Sequence, residues 1–188
     1  MEHILIVIDM QNDFISGALG TPEAQAIVPY VEQLVTEWDG PIIFTKDTHD
    51  AQYLDTQEGQ QLPVVHCMKG TDGWQIPTVL VEAAHQNSYA QKNENDYVQM
   101  IAIEKPCFGS LDLVRQLQDM HAQNPIGDIT IVGLCTDICV VSNALLVKAG
   151  LPEVPLIIDA AGCAGVTPEK HKAALETMRS CQCHVIND

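Results

Sequence analysis

Apolar side chains along this chain fall into two alternating patterns. Short runs rich in Ile, Val and Leu occupy residues 4–8, 41–45, 100–103, 129–132, 154–158 and 183–186, each of strand length. Between most of them lie segments whose apolar positions recur at helical spacing: 22–38, 77–85, 110–121, 137–149 and 168–180. The first of these has Thr21 as its cap and Pro22 at the first helical position. Strand and helix in alternation, with strands apolar on both faces, predict an α/β fold around a mostly parallel sheet covered on each side. No repeat, linker or low-complexity tract interrupts residues 1–188, so a single domain is expected. Residues 49–75 break the pattern. They are polar, lack a clear period and exceed a plain connector, yet hold His49, His66 and Trp74, so a functional loop is expected there.

Length and charge narrow the picture. At 188 residues the chain can bury a core without disulfides, and 46% apolar against 18% charged residues excludes wholesale disorder. No apolar run reaches the ~18 residues of a membrane span. The first strand begins after Met1, Glu2 and His3, which predicts no secretory leader. Twenty-five acidic against nine basic residues give a formal charge of −16, so neither nucleic acid nor an anionic membrane is an expected partner. Seven cysteines stand at 67, 107, 135, 139, 163, 181 and 183. Their odd number and unpaired spacing predict reduced thiols in a cytoplasmic protein. Cys181 and Cys183 read as two thiols flanking the last strand.

Open parallel sheets gather ligands beyond the carboxyl ends of their strands. Strand one ends in Asp9, strand two in Asp47 with His49 beyond, strand three in Glu104 and Lys105, and strand five in Asp159. Strand four runs into Gly133-Leu134-Cys135-Thr136-Asp137-Ile138-Cys139. An acid, a lysine and a cysteine thus converge on one edge. Thr136 as a helix cap would put Cys139 near the third helical position, where free N–H groups and a nearby Lys105 favour a thiolate. The plainer reading makes Cys139 a small buried hydrophobe and Asp9 a cap for the following turn. A second constellation is Asp47, His49 and His66, whose oxygen and imidazole donors suit zinc, manganese or iron rather than calcium. Asp50, Asp55 and Glu58 are each available as a further ligand. There is no G-x-S-x-G elbow, no phosphate-binding G-x-x-x-x-G-K-[ST] and no G-x-G-x-x-G after strand one.

Four segments carry a family resemblance: Ile8-Asp9-Met10-Gln11-Asn12-Asp13-Phe14, Thr45-Lys46-Asp47-Thr48-His49, Lys105-Pro106-Cys107-Phe108-Gly109-Ser110 and Gly133-Leu134-Cys135-Thr136-Asp137-Ile138-Cys139-Val140. In this order, D-x-x-x-D-F with G-x-x-T-x-x-C-V resembles the isochorismatase-like cysteine hydrolases, and the nicotinamidases in particular. The resemblance implies a Rossmann-like three-layer sandwich with a six-stranded parallel sheet and a catalytic Asp9–Lys105–Cys139 triad. It further implies one divalent ion, zinc foremost with manganese or iron as alternatives, held by Asp47, His49 and His66. Glu58 is favoured as the fourth ligand, with Asp55 the runner-up. Phe14 and Phe108 match the aromatic walls of the family's pyridine pocket. Leu62 stands where nicotinamidases usually have an aromatic residue, and Val64-Val65 lengthens the link from Pro63 to His66.

The mechanism implied is amide hydrolysis through a cysteine thioester, nicotinamide giving nicotinate and ammonia. Backbone N–H groups of Cys135 and Cys139 would hold the oxyanion, with a cis peptide at Leu134–Cys135. Small-molecule amides are the expected partners, and the assembly state, monomer or homo-oligomer, is left open. Two other readings stand beside this one: a metal-independent cysteine amidase of a ureide or carbamoyl compound, and a non-catalytic metal-binding protein on the same fold.

Overall fold

The computed structural model describes residues 1–89 and 101–188. Its elements run β1 (Glu2–Ile8), α1 (Asn12–Ile15), α2 (Pro22–Glu37), β2 (Ile42–Asp47), α3 (Gln57–Gln61), α4 (Thr78–Gln86), β3 (Ile101–Lys105), α5 (Leu111–Gln123), β4 (Ile126–Leu134), α6 (Val141–Gly150), β5 (Leu156–Ala164), α7 (Pro168–Ser180) and β6 (His184–Ile186). The six strands form one sheet in the order β3-β2-β1-β4-β5-β6, and every neighbouring pair is parallel. Met100, assigned to the third strand from sequence, lies outside the described residues.

Alternation along β1 explains the three layers. Ile4, Ile6 and Ile8 point to one face and pack with Leu113 and Leu117 of α5, Val147 of α6 and Met178 of α7. Leu5 and Val7 point to the other and meet Ile27 and Val31 of α2 and Leu80 of α4. Both faces are covered, so the central strand is wholly apolar and buried from Ile4 to Ile8. Four helices among the described residues start on side-chain caps: Thr21 accepts from Ala24 N–H, Thr56 from Gly59 N–H, Ser110 from Leu113 N–H and Thr167 from Lys170 N–H. No helix among the described residues is long and apolar enough to cross a membrane.

Three local expectations need correction. Strand β5 does not end at Asp159 but continues to Ala164. Asp159 looks like a terminator, yet the Tyr30 hydroxyl donates to it at 2.8 Å and the Asn187 amide at 3.1 Å, so a buried carboxylate sits mid-strand with its partners. Residues 49–75 are not plain loop, because a 3₁₀ turn over Tyr53–Asp55 and helix α3 interrupt them. Both are too short for a hydrophobic period to register. The segment after β4 begins as a π-helical turn over Thr136–Val140 before α6 starts. Gly133, just before it, has φ +124 and approaches β1 so closely that a Cβ would lie 2.1 Å from the Ile8 carbonyl oxygen. Only glycine lets β4 run this close to the residue preceding Asp9.

Candidate active site

The carboxyl ends of β1, β2 and β3 deliver Asp9, Asp47 and Lys105 to one buried point, and the π-helical turn after β4 delivers Cys139. Asp9 takes φ +45 immediately after β1, a left-handed conformation uncommon for a non-glycine residue. Thr45 donates its hydroxyl to Asp9 Oδ1 at 2.6 Å and accepts the Asp9 N–H at 3.1 Å. Lys105 Nζ lies 2.6 Å from Asp9 Oδ2, 3.6 Å from Cys139 Sγ and 3.6 Å from Asp47 Oδ1, and donates to the Cys107 carbonyl at 3.0 Å. The Asp9 Oδ2 contact is an ion pair without an aligned hydrogen bond, so that oxygen retains accepting capacity.

Beside this cluster, Asp47, His49, Glu58 and His66 each offer a donor atom, all within 4.8 Å of one another. His49 Nε2 is 3.0 Å from Asp47 Oδ2 and 3.6 Å from Glu58 Oε1, while His66 Nε2 is 3.5 and 4.0 Å from the same two oxygens. His66 Nδ1 donates to the Val64 carbonyl at 2.7 Å, which directs its Nε2 at the carboxylates. The Tyr53 ring packs against both imidazoles, with centroids 4.4 Å from His49 and 5.0 Å from His66, and its hydroxyl donates to the Leu62 carbonyl. Two imidazoles and two carboxylates converging with Asp47 Oδ1 lacking a hydrogen bond fit a divalent cation in charge and donor type. Asp55 is exposed and lies outside the cluster, as does Asp50.

A cavity of about 270 Å³ joins the two constellations. Cys139, Asp47, Glu58 and His66 line it together with Phe14, Phe108, Leu62 and Cys135. Its volume suits a single aromatic ring with a small substituent. The Isochorismatase domain profile matches residues 3–187.

The chain belongs to the isochorismatase family. Among its relatives in the family, the nicotinamidase of Escherichia coli (strain K12) is 27% identical over 90% of this chain and 86% of its own length. A crystal structure of nicotinamidase/pyrazinamidase PncA from Bacillus subtilis superposes with a TM-score of 0.78, at 26% identity over 100% of both chains. A pyrazinamidase of Pyrococcus horikoshii in complex with zinc shares the fold with a TM-score of 0.75, at 23% identity and 100% coverage of each.

Electrostatics at this isochorismatase-family site follow from burial. Desolvation pushes the Asp9 carboxyl up, with the Lys105 charge opposing and Asp47 adding to the rise. Burial would lower Lys105, but the charges of Asp9, Cys139 and Asp47 hold it above the usual lysine range. The thiolate expected at Cys139 needs correction: burial, reinforced by the Asp9 charge, pushes the thiol well up despite Lys105. The Thr136 cap needs it too. The turn lacks a side-chain cap, and the Thr136 hydroxyl pairs with His171 Nδ1 at 2.8 Å instead. Burial would also raise Asp47, but hydrogen bonds from His49 and His66 and the Lys105 charge hold it well below the usual carboxylate range. The Leu134–Cys135 peptide is cis.

Three residues of the site had no signal strong enough to single them out. Gln11 and Thr45 sit in the quoted motifs as ordinary polar positions. Asn143, wholly buried, donates to the carbonyls of Phe108 and Cys139 and accepts the Ser110 N–H, tying the Cys139 turn to the loop after β3.

Proposed function

We propose that this chain hydrolyses a small aromatic carboxamide through a thioester on Cys139, with nicotinamide as substrate and nicotinate and ammonia as products. One observation carries the reading: Lys105 Nζ stands between Asp9 Oδ2 at 2.6 Å and Cys139 Sγ at 3.6 Å, beside a ring-sized cavity. The nicotinamidase relatives support the choice of amide.

At rest, Asp9 is paired with Lys105 and Cys139 is a thiol. Proton transfer from Sγ to Asp9 moves one negative charge from one side of the Lys105 ammonium to the other. No net charge is created in the buried space, so the thiolate need exist only as it attacks. The C–S bond forms at the carboxamide carbon, and the oxyanion takes hydrogen bonds from the N–H groups of Cys135 and Cys139. Protonated Asp9 gives its proton to the departing nitrogen as the C–N bond breaks and ammonia leaves. Asp9, again a carboxylate, then takes a proton from water as the oxygen attacks the thioester. As the C–S bond breaks and the acid leaves, Asp9 returns its proton to the departing sulfur, which restores the Cys139 thiol and the Asp9 carboxylate. Phe14 and Phe108 flank the ring. Asp47, His49, Glu58 and His66 would hold a divalent ion, zinc, manganese or iron, whose Lewis acidity offers the pyridine nitrogen a fixed ligand position.

Ammonia release across a panel of carboxamides, with and without chelator, tests this reading. Nicotinamide should be turned over and ureido or carbamoyl compounds should not, and chelation should lower the nicotinamide rate. Turnover of a carbamoyl compound with no chelator effect would transfer the site to the metal-independent amidases.

A further inference from the structure

The turn after β1 does more than present Asp9. Its alternate residues, Gln11 and Asp13, reach in two other directions. Gln11 is wholly buried, and its amide donates to the Asp47 carbonyl at 2.8 Å and the Trp74 carbonyl at 2.9 Å while accepting the Asp47 N–H at 2.7 Å. One side chain therefore satisfies both backbone groups of a single residue, and that residue is Asp47. Asp13 Oδ2 accepts the Cys67 N–H at 2.7 Å, and Oδ1 accepts the Ala18 N–H at 3.3 Å. Cys67 adjoins His66 and takes φ +46, a conformation that a non-glycine residue holds only when its surroundings impose it. Gly73 makes room for the Asp13 carboxylate, since a Cβ there would lie 2.2 Å from Oδ2.

We propose that Gln11 and Asp13 are positioning residues for the cation-binding donors, fixing Asp47 and His66 to the same short turn that carries Asp9. This rests on reading the Asp47, His49, Glu58 and His66 cluster as a divalent-metal site. Asp47 comes from a strand end and His66 from a long loop, and a parallel bridge between His49 and Met68 joins their backbones. Gln11 and Asp13 add a second tie, through side chains, at Asp47 itself and at Cys67 beside His66. Gln11 fixes the Asp47 peptide and with it the direction of its side chain. Asp13 holds the backbone beyond His66, whose ring is independently pinned at Nδ1 by Val64. Partners one step removed from a metal commonly alter its affinity about 10–100-fold.

Titration of the full-length protein with Co²⁺, followed by its visible absorption, tests the proposal. Asp13→Ala and Gln11→Met should each raise the Co²⁺ dissociation constant about 10–100-fold and alter the absorption band. Asp13→Asn keeps an acceptor for the Cys67 N–H and should stay within about threefold of the native protein. Gly73→Ala, which displaces the Asp13 carboxylate without removing it, should weaken binding in the same direction. It decides the matter should Asp13→Ala fail to fold. Native-like affinity in Asp13→Ala, or in Gly73→Ala if the former is unfolded, overturns the proposal, as does a loss in Asp13→Ala that Asp13→Asn shares in full. A native protein that binds no Co²⁺ overturns the metal-site reading itself and the proposal with it. The two failures are distinguished by the native titration alone.

Discussion

Replacing Cys139 by alanine is expected to reduce nicotinamide hydrolysis by about 10⁴-fold or more, close to 5.4 kcal/mol of barrier. The size follows from the chemistry: among the described residues no thiol other than Cys139 lies against Lys105 Nζ, and the remaining groups would have to activate water against an unstrained amide. Asp9 and Lys105 would keep their ion pair, and Asn143 would still tie the Cys139 turn to the loop after β3 through the Cys139 carbonyl. The variant should therefore fold, with at most a few kcal/mol lost to the small cavity left by the thiol. Ammonia release and urea unfolding on the same preparation separate the two effects. Activity within about tenfold of the native protein, a barrier change of only about 1.4 kcal/mol, would remove Cys139 from the reaction.

The second large effect is expected from His49→Ala combined with His66→Ala. Two carboxylates alone are a poor site for zinc, manganese or iron at micromolar concentration, so bound metal should fall from about one per chain to near none. Nicotinamide turnover should drop by about 100-fold or more, because a ring without its anchor loses the near-attack geometry. Neither histidine belongs to the two apolar clusters that hold the layers together, so the fold should survive. Elemental analysis, circular dichroism and ammonia release on one sample check all three statements. Full metal content in the double variant, or unchanged turnover after its loss, contradicts the ligand assignment.

Much of this architecture was legible because parallel strands buried on both faces announce themselves as unbroken Ile and Val runs. Ile4 to Ile8 could be nothing else, and the cap at Thr21 with Pro22 behind it fixed the start of α2. Strand ends then located Asp9, Asp47 and Lys105, since the rule that ligands gather there needs only the pattern and the topology it predicts. What escaped depends on contacts between segments far apart in sequence. Asp159 reads as a strand end until Tyr30 and Asn187 reach it from 129 and 28 residues away. Thr136 reads as a cap until His171 claims its hydroxyl. The thiolate expected at Cys139 followed from local helix electrostatics. Complete burial outweighs that effect and shows only in three dimensions. Glu58 lies on a five-residue helix with no hydrophobic period, so its place beside His49 came from the resemblance and not from the pattern.

The central claim is a covalent acyl intermediate on Cys139, and rapid mixing with nicotinamide followed by acid quench and mass analysis tests it most directly. During the first turnover, the account predicts one nicotinoyl group per chain, located on the peptide containing Cys139, appearing together with released ammonia. Ammonia released stoichiometrically in that interval with Cys139 unmodified, or with the acyl group on another residue, would contradict it.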